Sequence, residues 1–357
     1  MRWELAEEQE LFQESLRGWL EKVAPSDRVR RWMDSSDPSA FEERLARDGW
    51  LAVGAAEERG GQGGGLLELA LTAEELARRA APSSAWLATM TALPALPDDV
   101  ALDALGGGGF AALVVDGGRP VDCADGVSED GQGRLHGSVP LVLGADRAAR
   151  LVVPVRAPRG RELRLVDAAD AGVTITRRSL LDRSRSAADV VLDGVSGRPL
   201  DVEAEVVLGE AALRGAVLVS ADALGAMQRM LDLAVDYSLQ RHQFGVPIGS
   251  FQAVKHAAAS ILVSVEAARS IVYYAAASVE AAQHDSATHA AIAKAQVTSS
   301  GVSVGDAALT MHGAIGYTWE HDLHLLYKRA RLDERLWGRP SDWNERIATA
   351  LELLPTG

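Results

Sequence analysis

Residues Arg241 to His256 read RHQFGVPIGSFQAVKH and lie between two long helical runs. The run before them, roughly Val206 to Gln240, is rich in Ala, Leu, Val and Met, with apolar residues at helical spacing. The run after them, roughly Phe251 to Gln283, has the same character. Gly245, Pro247 and Gly249 interrupt the periodicity, which predicts a helix, a tight turn and a second helix. The turn carries the cation Arg241, the amides Gln243 and Gln252, and a helix N-terminus near Gly249 and Ser250. A guanidinium beside free backbone N–H groups suits a phosphate. Local physics allows an ordinary helical hairpin with a surface arginine equally well.

Outward from this stretch, the chain changes character twice. Residues 1–104 read as helical: Leu5, Leu11, Phe12, Leu16 and Leu20 keep roughly helical spacing. Gly49 to Gly65, GWLAVGAAEERGGQGGG, breaks that region, and a helix resumes over Leu66–Arg79. The glycine-rich break has no GK[ST] sequence and no strand before it, so a plain loop is expected and not a nucleotide cradle. Over residues 105–203 helical periodicity disappears. Short Val/Leu runs appear at Ala111–Val115, Arg134–Leu143, Leu151–Val155, Glu162–Asp167, Val173–Arg177 and Ala188–Leu192, which predicts a small antiparallel β-barrel or sandwich. Residues 204–357 are helical again, with breaks near Gly245–Gly249, His284–Ser286, Gly313–Thr318 and Gly338–Ser341.

Composition excludes several classes of function. A formal net charge of −14 argues against nucleic acid or an anionic membrane as partner, although a local basic pocket can coexist with an acidic surface. Cys123 is the single cysteine, which leaves no intrachain disulfide framework and no cysteine-rich metal site. The stretch MRWELAEEQELF is too polar for a secretion signal, and no apolar run is long enough to span a bilayer, so a cytoplasmic setting is expected. His321 and His324 have the spacing of helix metal ligands, but no distant third ligand is evident and no metal centre is expected. Ser184 and Ser186 lack the G-x-S-x-G surroundings of a hydrolase nucleophile.

RHQFGVPIGSFQ resembles the R-x-Q-F-G-x-P-I-x-x-F-Q junction of the acyl-CoA dehydrogenase family, in its actinobacterial type. Met311–Ala330, MHGAIGYTWEHDLHLLYKRA, is similar to that family's H-G-G-x-G-[FY]-T-x-E segment. Weaker likenesses extend the resemblance over nearly the whole chain. GWLAVGAAEERGGQGGG matches a segment that often has proline where Ala56 stands. GRLHGSVPLVLGADRAARLVVPV and TITRRSLLDRSRSAADVVLDGV match the family's β domain. The fold class implied is α+β: an N-terminal helical domain (1–104), a central antiparallel β-barrel or sandwich domain (105–203) and a C-terminal four-helix bundle (204–357).

The resemblance implies FAD as cofactor, in a site built between subunits. Arg241, Gln243, Phe244 and Gln252 would contact its adenosine-diphosphate part, and Thr310, Met311, His312, Gly313, Ala314 and Gly316 would hold the pyrophosphate from the other side. Thr310 and Ala314 depart from the family's usual glutamine and second glycine, and no T-E-P-x-x-G-S-D segment occurs in Gly106–Gly137. The family's catalytic carboxylate stands at one of two places. By counting, these correspond to Trp337 and Gly215, and neither is an acid. Asp222 lies two helical turns after Gly215 on the same face and is the candidate base, against the alternative of an acid paired with an arginine. Glu320 reads as structural, and Glu334, beside Arg331, Asp333 and Arg335, as part of a solvated charged face.

The expected function is α,β-desaturation of an acyl thioester, carried by CoA or an acyl-carrier protein. The runner-up is a non-catalytic subunit that completes the FAD site of a paralogous partner, and a third possibility is other thioester chemistry on the same scaffold. A homo- or hetero-oligomer follows from the shared site.

Overall fold

The structure is a computed structural model that describes residues 5–157 and 160–351. Residues 1–4, 158–159 and 352–357, among them the start of MRWELAEEQELF, lie outside the described residues. The first region is helical: α1 (Glu7–Val23), α2 (Ser26–Ser35), α3 (Ser39–Arg47), α4 (Leu66–Arg78), α5 (Ser84–Ala92) and α6 (Asp98–Leu105). Burial decides their order in space. α1 buries only Leu16, Leu20 and Val23, the inward stripe of a surface helix, whereas every residue of α5 is buried. The glycine-rich break is a loop, closed by a single bridge between Ala55 and Gly63.

The middle region holds β1 (Phe110–Leu113), β2 (Val127–Glu129), β3 (Arg134–Leu143), β4 (Ala148–Ala157), β5 (Gly160–Asp167), β6 (Val173–Arg177), β7 (Ala187–Ser196) and β8 (Arg198–Pro199). They form one eight-stranded sheet in the order β6-β7-β3-β2-β4-β5-β8, with β1 on β4. Most pairings are antiparallel, as the alternating runs predict. Two are not: β1 runs parallel to β4, and β2 meets β4 in parallel at Ser128 and Arg156. β1 arrives directly from the helical region, so its direction is set by α5 and α6 and not by a hairpin. Val139, Val142, Leu151, Val153, Val155, Val166, Val190 and Leu192 form this sheet's own core.

The last region contains α7 (Ala204–Gln240), α8 (Gln252–Glu280), α9 (Ser286–Ile292), α10 (Thr298–His312), α11 (Leu323–Arg335) and α12 (Pro340–Ala350). A π-helical turn, Ala293–Val297, joins α9 to α10. α7 is the axis of the molecule: it packs against α4, α8, α10 and α11 and also meets β5. Close approach to α4 requires glycine, because a Cβ on Gly225 would stand 2.0 Å from the Glu74 carbonyl oxygen.

Candidate functional site

The hairpin after α7 is built to be seen. His242–Gln243 pairs antiparallel with Val246–Pro247, and the turn residues Phe244 and Gly245 have φ of +53° and +81°. Both central residues at positive φ give the tight primed turn of a two-residue hairpin. Phenylalanine is a costly choice there, since a side chain at positive φ is strained. Its ring is 92% exposed and meets the Phe251 ring edge-on at 6.1 Å. The Arg241 backbone is tied down, its N–H donating to Tyr237 and its carbonyl accepting from Ile248. Its exposed guanidinium has no acceptor among the described residues, and Gln252 opens α8 beside it.

A second exposed segment lies at the same end of the bundle. His312 closes α10, and its ring stacks on Tyr237, one turn before Arg241, at 4.7 Å. Nδ1 of His312 donates to the Ala308 carbonyl at 2.8 Å, while Nε2 is buried without a partner. Burial holds this imidazole below its ordinary range. Gly313 then adopts φ +65°, and Gly313 and Ala314 are exposed. Gly316 is buried, with atoms of His312, Leu309 and Leu323 all 3.1 Å from where a Cβ would stand. The hairpin and this segment thus present a free cation, a helix N-terminus and open backbone together. That set of donors fits a pyrophosphate.

Elsewhere on α7 the arrangement is the reverse. Gly215 and Trp337, the two positions that correspond to the family's carboxylate, touch each other: a Cβ on Gly215 would lie 2.9 Å from the Trp337 ring. The indole is 3% exposed and its residue sits at φ +55°. The Trp337 N–H donates to Gly117 at 2.7 Å, and the Trp343 indole N–H donates to the Trp337 carbonyl at 3.0 Å. Gly338 packs against Pro120, Val121 is fully buried, and Val121–Cys123 packs on α7. The segment that stands where T-E-P-x-x-G-S-D was absent therefore folds against α7 and the turn around Trp337.

Asp222, the candidate base, is engaged by two arginines. Both carboxylate oxygens accept from Arg329, each at 2.7 Å, and Arg185 adds a third contact at 2.5 Å. Burial alone would raise its pKa, but Arg185 and Arg329 hold it below the usual carboxylate range. A base needs a free lone pair and an affinity for protons near the working pH, and the pairing of both oxygens weighs against each. Arg329 also donates to Ala81, Ser83 and Ser184. Asp333 is fully buried, not part of a solvated face, 2.9 Å from Arg185 but out of line for a hydrogen bond. Burial raises its pKa well above the usual range, and the Asp222 charge adds to this against the pull of Arg185.

Lys294, in the π-helical turn, went unnoticed in the sequence. It is fully buried and donates to the carbonyls of Asp333 at 3.0 Å and Gly338 at 2.8 Å, with that of Glu334 at 3.4 Å. It therefore caps α11 and ties down the turn that presents Trp337. Burial lowers its pKa to about 7, against the attraction of Asp333. A lone lysine in the Ala-rich run AAIAKAQV was the available signal. His321 stacks edge-on with His312, and His324 edge-on with Trp319; no group of three His, Cys, Asp or Glu among the described residues could hold a metal.

The family models for the acyl-CoA dehydrogenase N-terminal and C-terminal domains match residues 6–97 and 207–340, and the chain belongs to the acyl-CoA dehydrogenase family. Acyl-CoA dehydrogenase IpdE2 of Mycolicibacterium smegmatis is 31% identical over 350 residues, covering 96% of this chain and 98% of that protein. Among solved structures, a steroid ACAD variant, Tcur3481-Tcur3483, is 26% identical, with TM-score 0.86 over 97% of this chain and 98% of its own. The ChsE4-ChsE5 complex of Mycobacterium tuberculosis shares the fold, at 23% identity and TM-score 0.85 over the whole of both chains. Among the described residues no helix is long and apolar enough to cross a membrane.

Proposed function

We propose that this chain is an FAD-dependent oxidoreductase of acyl-CoA dehydrogenase type, acting in the α,β-desaturation of an acyl thioester carried by CoA or an acyl-carrier protein. The observation that supports this reading is the exposed pairing of Arg241 and Gln252 with the Gly313 segment, joined through the Tyr237–His312 stack. Arg241, Gln243, Phe244 and Gln252 would hold the adenosine-diphosphate end, with Thr310, Met311, His312, Gly313, Ala314 and Gly316 around the pyrophosphate. FAD, when bound, supplies the acceptor for the substrate's β-hydride. The chain's own part is to bind and orient that cofactor. Its three regions, divided near residues 104 and 203, would act as the domains of one subunit.

One observation favours a second reading. The place where a carboxylate would take the α-proton is filled by Trp337 lying on Gly215, and Asp222 is consumed by two guanidiniums. In this reading the chain completes the FAD site of a paralogous partner that carries the base. The two-component names of the structural relatives lend it support. So do exposed Phe244 and, on α8, Leu262 and Val263 at 48% and 70% exposure, as surfaces to be covered by another subunit.

One experiment serves both readings: purify the chain alone, count flavin per protomer from the visible spectrum, measure its mass by light scattering and assay acyl-CoA dehydrogenation with an artificial acceptor. A homo-oligomer with flavin and turnover supports the first reading. Flavin without turnover until a partner subunit is added supports the second. A monomer that takes up no flavin under any of these conditions contradicts both.

A further inference from the structure

A second cationic cleft, lined by none of the residues assigned above to the cofactor, lies where the α1–α2 turn, the end of α4, the middle of α7 and the start of α11 meet. It encloses ≈420 Å³ open to solvent, and Arg78, Arg79, Arg229 and Ser26 face it. Its other wall is apolar, with Val29, Leu325 and Leu326. Two of the guanidiniums are matched: Arg78 donates to Asp232 at 2.9 Å and Arg79 to Glu21 at 2.6 Å. Arg229 has neither a hydrogen bond nor an ion pair among the described residues. Asp322, the carboxylate that lines the cleft, is already engaged by Ser26 at 2.6 Å and by Arg30.

The three cations act on one another. Burial holds Arg79 below its ordinary value, and Arg229 and Arg78 press it down further against the attraction of Glu21. Asp232, Glu21 and Asp322 offset most of this charge, and Arg229 is the cleft guanidinium left without a hydrogen bond or ion pair among the described residues. An anion with two oxygens matches its planar fork. We propose that the cleft between α4 and α7 is a binding site for a small oxyanion, a phosphate group or a carboxylate, held chiefly by Arg229 with Arg79 beside it.

Titration calorimetry on the full chain tests this, using inorganic phosphate and acetate in turn at constant ionic strength set with chloride. The expected result is saturable binding of at least one of the two. Tighter phosphate binding identifies a phosphate ligand; acetate binding as tight or tighter identifies a carboxylate. Arg229→Gln is expected to weaken binding at least about tenfold, the size of one lost charge-assisted pair, while leaving flavin retention unchanged. Arg79→Gln gives the same direction if Arg229→Gln fails to fold. Arg241→Ala separates this cleft from the cofactor site, since phosphate or acetate binding here survives that change. No saturable response to either anion, or affinity unchanged in both Arg229→Gln and Arg79→Gln, overturns the proposal.

Discussion

The hairpin after α7 and the Gly215–Trp337 contact in the first half of α7 lie on one helix, yet they have gone opposite ways. At the hairpin the chain keeps a 92% exposed phenylalanine at positive φ, which costs stability in isolation, beside a solvated guanidinium with no partner among the described residues. At Gly215 the chain has no side chain, and an indole that is 3% exposed packs against it. A region held ready for a ligand or neighbour tolerates such costs, whereas a region without that demand packs like any other core. The contrast is the basis for proposing the working surface at the end of the bundle.

The sharpest way to break that contrast is Asp222→Asn. If Asp222 is structural, the variant leaves buried Arg185 and Arg329 poorly compensated, and stability by denaturant titration falls by about 3–5 kcal/mol, while activity of the folded protein or its assembly persists. Undiminished stability with turnover down by about 10²–10⁴ would instead return Asp222 to the role of base.

The next effect concerns Trp337. Truncation to alanine empties a large buried volume, and a loss of roughly 3 kcal/mol or more is expected. Gly215→Ala, by contrast, forces a Cβ against the ring and is expected to cost about 1–3 kcal/mol of overpacking, partly offset by the better helix propensity of alanine. In the Trp337→Ala background that cost disappears. A double-mutant cycle showing no coupling between the two positions means that they do not touch in solution.

Lys294 gives a pH signature of moderate size. Its folded pKa of about 7 lies below its unfolded value, so between the two the unfolded chain binds the extra proton. Stability from this group therefore rises with pH above about 7 and is flat below it. The difference in melting temperature between the wild type and Lys294→Met should grow as pH is raised from 7 to 10, as estimated from that shift and the ordinary lysine value of roughly 10.4. A difference that stays constant over this range shows that the ammonium is not desolvated.

Much of the fold was legible because it rests on periodicity. The helical runs on both sides of Gly245, Pro247 and Gly249 became α7 and α8, and each of the six Val/Leu runs became a strand. β2 and β8 escaped because they span three and two residues, too short to show alternation. The parallel seat of β1 on β4 escaped because direction depends on where α5 and α6 deliver the chain. In the candidate site, that an acid inside VLVSADALGAM would seek an arginine followed from burial, but its partners, Arg185 and Arg329, come from distant parts of the chain. Asp333 looked solvated because its sequence neighbours are charged. The turn of α11 that carries it faces inward instead, and only the packing of α7, α10 and α11 shows that.

The direct test of the working surface is FAD affinity with and without the Arg241 guanidinium. The purified protein, alone or in its assembly, is stripped of flavin and titrated with FAD, and the same is done for Arg241→Ala. Saturable binding that weakens at least about tenfold in the variant is predicted, the loss of one charge-assisted contact of roughly 1.5–3 kcal/mol. Equal affinity for FAD in the two proteins contradicts the assignment of the hairpin to the cofactor.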